Sequence, residues 1–494
     1  MRTPDTIRRN TGFALAMRVV GALFTGGLTL FLVRYLGPDD YGVYALAISV
    51  GGLTVLPMDF GVSRSAARFI AESRKDAAGV RAVLVGSIRL KAIASGLGAV
   101  ALCALAGPIA NAYGVDDLEW PLRVVAVAAF AQSFVLLFTS TFEALGINSM
   151  GFVIYLSESA LEGLSSLTLV LAGAGVTGAV GGRGIGYGVA AVLAAILALR
   201  ALRGRTVSRA RSSGPSLRRI ATYAGALFII DAAFTAFGYV DILLIGAFLD
   251  PRSAGLFTAP AQILIFAQYG GIALAAGVGP RLSRAASDSA GAASFQTGLR
   301  LLLLVQLLVV APVVVWATPI THLLFGPGYG ASAGVLRALA PYAVLVGPAP
   351  MLAMSINYLG EARRRIPLAV GAVALNAAID AVLIPKIGIV AGAIGTDVAF
   401  FFFTVGHLYI ARSLIELDLR RLGWTLLRTS LAAAAMCAAL FVFGTQSLSA
   451  AEAIAGSVLG LAAYGAVLLA SREISWTEVR SAASAVGRVL RPAT

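Results

Sequence analysis

Ionisable side chains stand where this sequence is otherwise apolar. Glu158 and Glu162 lie four residues apart in one apolar run, so a helix puts both carboxylates on one face. Asp231, Asp380 and Asp397 occur singly in three other runs. Arg18, Asp59, and the pair Arg89 and Lys91 occupy three more. A charge at the centre of a membrane helix costs about 2.5–3.5 kcal/mol, so its retention is a reason to look for function. Basic groups at such depth can hold a phosphate. Buried carboxylates can hold a proton or a coupling cation. The competing readings are structural: snorkelling for Arg18, Arg89 and Lys91, an Arg18–Asp59 pair, and interhelical hydrogen bonds for the acids. Glu143 and Asp241 fall nearer the ends of their runs and carry less weight.

Other chemistry is poorly provided for. Cys103 and Cys437 stand alone in apolar runs, and His322 and His407 are single. No grouping has metal-ligand spacing, and no phosphate loop, nucleophile elbow or dinucleotide fingerprint is present. No metal or other cofactor and no enzymatic activity is expected.

The elements that must position these charges are membrane helices. Hydrophobic residues make up 59% of the 494 and charged residues 13%, against roughly 45–50% and about 25% in soluble domains. At roughly 20 residues per span, fourteen helices take about 300 residues. The pattern predicts spans at 11–33, 41–63, 82–107, 121–145, 150–173, 184–201, 219–248, 254–279, 299–324, 335–358, 366–385, 389–411, 424–446 and 450–470. Of the 38 Lys and Arg, this arrangement puts 29 on one side, six on the other and three inside spans. The rich side is cytoplasmic by the positive-inside rule, which places both termini there. The net charge of +14 then suits anionic lipid headgroups, and nucleic-acid binding is not expected.

The chain repeats itself. A shift of 213 residues carries Pro38 onto Pro251 and Gly42 onto Gly255; a shift of 214 carries Leu145-Gly146 onto Leu359-Gly360, Glu162 onto Asn376 and Ser166 onto Asp380. Duplicated halves in a membrane protein point to a transporter with its site between them. The expected fold is an all-α integral membrane protein of about 14 transmembrane helices. It has two pseudo-symmetric six-helix lobes, 1–203 and 219–411, joined by a basic cytoplasmic linker at 204–218. Residues 412–494 add two C-terminal helices and a tail.

The motif Leu32-Val-Arg-Tyr-Leu-Gly-Pro-Asp-Asp-Tyr-Gly-Val-Tyr44, with Phe60-Gly61 after it, resembles the opening of polysaccharide-biosynthesis flippases. These include the O-antigen lipid flippases and belong to the multidrug/oligosaccharidyl-lipid/polysaccharide exporter superfamily. Asn376, Leu383-Ile-Pro385, Gly388 and Gly392-Ala-Ile-Gly-Thr396 resemble the same family's helix 11–12 region. The resemblance implies alternating access for a polyprenyl-pyrophosphate-linked oligosaccharide, moved from the inner to the outer leaflet. On that reading Arg18, Arg89 and Lys91 attract the pyrophosphate, and Asp59 lies beside them. Glu158 and Glu162 bind sugar hydroxyls, and Asp231, Asp380 and Asp397 line the cavity or hold the coupling ion, H+ or Na+. The implied partners are the lipid-linked oligosaccharide, membrane lipids, and polysaccharide polymerase or glycosyltransferases. The implied location is the cytoplasmic (inner) membrane. The alternative is a cation-coupled drug or metabolite antiporter of the same superfamily. A membrane glycosyltransferase or polymerase is a third class, disfavoured because the outer loops are too short for a catalytic domain.

Overall fold

The computed structural model describes residues 7–74, 76–203, 217–264, 289–478 and 480. Among the described residues the ordered elements are helices, with no strand. Nine helical segments there are long and apolar enough to cross a bilayer. Two of them, Val20–Asp59 and Asn148–Ala201, each hold two expected spans. The chain is a multi-span all-α membrane protein.

The breaks follow from glycine and proline. Helix α1, Ile7–Asp59, contains expected spans 1 and 2 as two arms of one kinked helix. The kink is at Gly37 (φ 72°, ψ 176°), where a side chain would be strained, and Pro38 follows. Phe60 and Gly61 take positive φ and turn the chain into α2, Val62–Glu72. This short amphipathic helix, where only a loop was expected, buries Val62, Ala66, Phe69 and Ile70. Helix α3, Ala77–Tyr113, is capped by Asp76 and outruns the expected 82–107 at both ends. Helices α4, Glu119–Leu145, and α5, Asn148–Leu169, follow. A π-turn at Val170–Ala174 leads straight into α6, Gly175–Arg203. The glycine-rich stretch between expected spans 5 and 6 is therefore mostly helical.

Helices α7, Leu217–Phe248, and α8, 251–264, come next; the rest of the eighth span lies outside the described residues. Expected span 9 is two helices, α9, Ser289–Val315, and α10, Ala317–Phe325. The Pro319 ring would clash with the carbonyl of Val315, so the helix cannot continue. Expected span 10 is three pieces: α11, Ser332–Ala338; α12, Ala340–Leu345; and α13, Pro348–Tyr358. Pro341 and Pro348 sit in the first turns of the latter two. Helices α14, Ile366–Ile387, α15, Val390–Leu414, α16, Leu419–Phe441, and α17, Ala450–Ala470, complete the chain.

Contacts group the chain into two compact units, Met1–Gln262 with Ala369–Gly395, and Ile263–Leu368 with Thr396–Thr494. In the first, Phe69, Val83, Leu137, Phe142, Leu145 and Ile154 form a core where α2 to α6 meet. In the second, Trp316 packs with Met436, Leu440 and Tyr464. The first unit also contains the repeat made tangible. A Cβ on Gly42 would collide with the Pro251 carbonyl oxygen, and one on Gly255 with the Pro38 carbonyl oxygen. The equivalent turns thus dock on each other reciprocally. Arg252 Nη1 donates to Asp39 Oδ2 at 2.7 Å beside them.

Candidate functional site

Two helices bring polar groups to one buried point, and a third makes room for them. Asn376 and Asp380 lie one turn apart on α14, and both are fully buried. Asp241 reaches them from α7: Asn376 Nδ2 donates to Asp241 Oδ1 at 2.7 Å. Among the described residues, the Asn376 carbonyl oxygen has no donor, and neither oxygen of Asp380 meets one. The Asp241 carboxylate lies close enough to act on the charge of Asp380. On α15, Gly395 makes the room, since a Cβ there would collide with Asp380 Oδ1. Orphaned buried acceptors cost about 1–3 kcal/mol each. Two carboxylates and an amide oxygen converging there form a set of oxygen donors. Such a set suits a hard cation or a shared proton.

A second cluster joins α5 to α6. Arg183 Nη1 donates to Glu162 Oε1 at 3.0 Å, and its guanidinium lies 5.1 Å from the Tyr187 ring centroid. Glu158, one turn before Glu162, accepts from Ser159 at 3.3 Å. Tyr44 and Tyr239 are within electrostatic reach of Arg183. The helices approach closely because they meet at glycines: a Cβ on Gly182 would strike Ser166, and one on Gly186 would press on Glu162. Arg183, counted among the residues of the outer side, instead lies within α6 and is paired. The expected helix 6 began too late to include it.

The remaining sites behave differently. Lys91 is fully buried, ion-paired with Asp59, and donates to Ser63 Oγ at 2.7 Å. Ser63 donates to Asp59 Oδ1 at 2.5 Å, which closes the triad. Lys91 reaches Asp59 because α3 packs against the end of α1 at the Phe60-Gly61 turn; the expected Arg18–Asp59 pair lies outside the described residues. Arg89, two residues from Lys91, is exposed. Asp397 accepts from the backbone N–H of Tyr342 at 2.8 Å. It satisfies an orphan donor in the first turn of α12, a place that favours negative charge. Arg18 and Asp231 lie in α1 and α7, but their side chains fall outside the described residues.

Residues 31–333, more than half of the chain, match the family described as polysaccharide biosynthesis protein. The chain belongs to that family. Agl15 of Haloferax volcanii, a probable low-salt glycan biosynthesis flippase, is 21% identical over 472 residues, covering 92% of this chain and 94% of its own. Among solved structures, the lipid II flippase MurJ in an inward closed conformation matches with a TM-score of 0.73 at 14% identity, over 94% of this chain and 99% of MurJ. An inward-facing multidrug resistance MATE family transporter of the MOP superfamily gives 0.66 at 17%, over 80% of this chain and 95% of that one. The fold is that of these transporters.

In this polysaccharide biosynthesis protein, sequence reasoning missed Asp241 and Gly395 as partners of Asp380. Asp241 was discounted for lying near a helix end. The 214-residue shift, which carries Glu162 onto Asn376, was the signal for Asn376. For Asp241 the only signal was an acid in an apolar run.

Proposed function

We propose that this chain is a flippase. It carries a polyprenyl-pyrophosphate-linked oligosaccharide from the inner to the outer leaflet by alternating access, for cell-surface polysaccharide synthesis. Family membership and the likeness to Agl15 along nearly the whole of both chains support that substrate class. The observation that carries the mechanism is the burial of Asn376 and Asp380 together, with Asn376 Nδ2 donating to Asp241 Oδ1. This cluster is the coupling site, where Na+ or H+ binds and biases one conformation. A ligand shifts such an equilibrium only by its differential affinity for the two states. Glu158, Arg183, Tyr187 and the nearby Tyr44 and Tyr239 supply hydrogen-bonding groups and aromatic faces for the glycan. Arg18 and exposed Arg89 attract the pyrophosphate; Lys91, neutralised by Asp59, holds α1 against α3. Asp397 is a structural cap, and Asp231 remains a cavity candidate.

The working organisation is two six-helix lobes, 1–203 and 219–411, with a basic linker and two further helices. Both termini face the cytoplasm, in the inner membrane, and polysaccharide polymerase or glycosyltransferases act before and after it. The MATE-like fold supports a second reading, a cation-coupled antiporter for a small molecule.

Proteoliposomes decide between them. A fluorescent polyprenyl-pyrophosphate sugar should become accessible to an outside-only quencher in a protein-dependent, Na+- or H+-dependent way. No flipping with several glycan headgroups, alongside cation-driven uptake of a soluble drug, would replace the flippase by the antiporter.

A further inference from the structure

Far along the sequence from the coupling site, in the second unit, a cleft of about 740 Å³ opens between the start of α9, the start of α16 and the end of α17. Five arginines line it: Arg300, Arg420, Arg421, Arg428 and Arg472. We infer that this cleft binds the headgroup of an anionic phospholipid from the cytoplasmic leaflet. The inference does not depend on which substrate is transported.

The floor of the cleft is rigid and electrically balanced. Glu473, 6% exposed, accepts from Arg300 Nε at 2.9 Å, Arg428 Nη1 at 3.2 Å and Thr425 Oγ1 at 2.8 Å. Glu478 takes a further bond from Arg300 at 2.9 Å. Both carboxylates stay ionised at neutral pH. Burial alone would raise that of Glu473, but the bonds from Thr425, Arg300 and Arg428 hold it low. Two of the five arginines are therefore committed. Asp418 is also engaged, capping α16 by accepting from the Arg421 N–H at 2.9 Å.

The rim differs. Arg420, Arg421 and Arg472 are exposed, and among the described residues none forms an ion pair. Arg472 has φ 55°, the left-handed residue just past the end of α17 that closes this helix. Arginine forks match phosphate oxygens.

The surroundings fit the headgroup level of a bilayer. Trp424 is half-exposed beside Arg428, and Trp476 is exposed two residues before Glu478. Leu426, Leu427 and Leu431 on α16 are exposed apolar residues for acyl chains. Tryptophan marks the membrane interface, and basic pockets between membrane helices on the cytoplasmic side bind anionic headgroups.

The test uses the full chain in neutral detergent. Cardiolipin and phosphatidylglycerol should raise Tm, while phosphatidylcholine and inorganic phosphate should not. Arg420→Gln/Arg421→Gln/Arg472→Gln should weaken cardiolipin binding by about a hundredfold, each arginine contributing about tenfold or less. Independently, cardiolipin with brominated acyl chains should quench tryptophan fluorescence more than brominated phosphatidylcholine, and Trp424→Phe should remove the excess. Equal stabilisation by phosphatidylcholine or by inorganic phosphate would overturn the inference. So would stabilisation by a polyprenyl diphosphate alone, or excess quenching unchanged in Trp424→Phe.

Discussion

Two polar clusters occupy matching places in the repeat and have opposite electrostatics. On α5, Glu162 and Ser166 are carried by the 214-residue shift onto Asn376 and Asp380 of α14. Each helix is approached closely by a glycine of its neighbour, Gly182 against Ser166 and Gly395 against Asp380. In the first cluster the acid is answered by Arg183 at 3.0 Å. In the second, Asp380 faces another carboxylate, and among the described residues neither of its oxygens meets a donor. Duplication kept the helix packing and let the charge diverge. A balanced cluster adds to the folded state, whereas an unbalanced one stores a deficit that a cation can fill.

The largest effect should come from unbalancing the first cluster. Arg183→Met leaves Glu158 and Glu162 together without their base, and should cost about 3–5 kcal/mol, read as a lower Tm in detergent. Glu162→Gln added to it should recover most of the loss. An unchanged Tm in the single variant would show that the pair is not structural.

The same operation on the second cluster should have the opposite sign. Asp380→Asn removes a repulsive charge, so Tm without coupling cation should hold or rise. Cation stabilisation should vanish. In the parent protein, Na+ at a hundred times its Kd should add about 2.7 kcal/mol if it is the coupling ion. If Asp380→Asn keeps that increment, the cation binds elsewhere.

The glycines sharpen the comparison further. Gly395→Ala should cost about 1–3 kcal/mol by overpacking, and should also lower cation affinity, because the new methyl meets the Asp380 carboxylate. Gly182→Ala should match the stability loss and leave the cation response intact. Isothermal cation titration of both variants separates steric from ligand effects.

The smallest effect belongs to a paired acid outside the spans. The hydrogen bond from Arg300, followed by the Ser475 N–H, brings the Glu478 carboxyl down from 4.5 to about 2. The unfolded chain therefore takes up this proton first. Its contribution is full above about 4.5 and is lost as the pH falls through about 2. Hydrogen exchange at residues 473–478 should quicken across that window in the parent. Glu478→Gln should exchange quickly at every pH.

Much was legible in the chain. Hydropathy marked a multi-span all-helical membrane protein, because the cost of burying backbone and charge in lipid acts on each segment locally. The repeat foretold that the Pro38 and Pro251 turns are equivalents, and Glu162 and Asp380 were marked out by being acids in apolar runs. Spacing on one helix can show which side chains share a face, so Glu158 with Glu162 and Asn376 near Asp380 were readable. What it cannot supply is the partner from another helix. That Lys91 meets Asp59, that Arg183 lies in the span and neutralises Glu162, and that Asp241 joins the Asn376–Asp380 pair were decided by how the helices pack. So was the role of Asp397, whose partner is a backbone N–H freed by the break before α12. Charge is a property of a residue, but its balance is a property of contacts, which only the tertiary structure brings together.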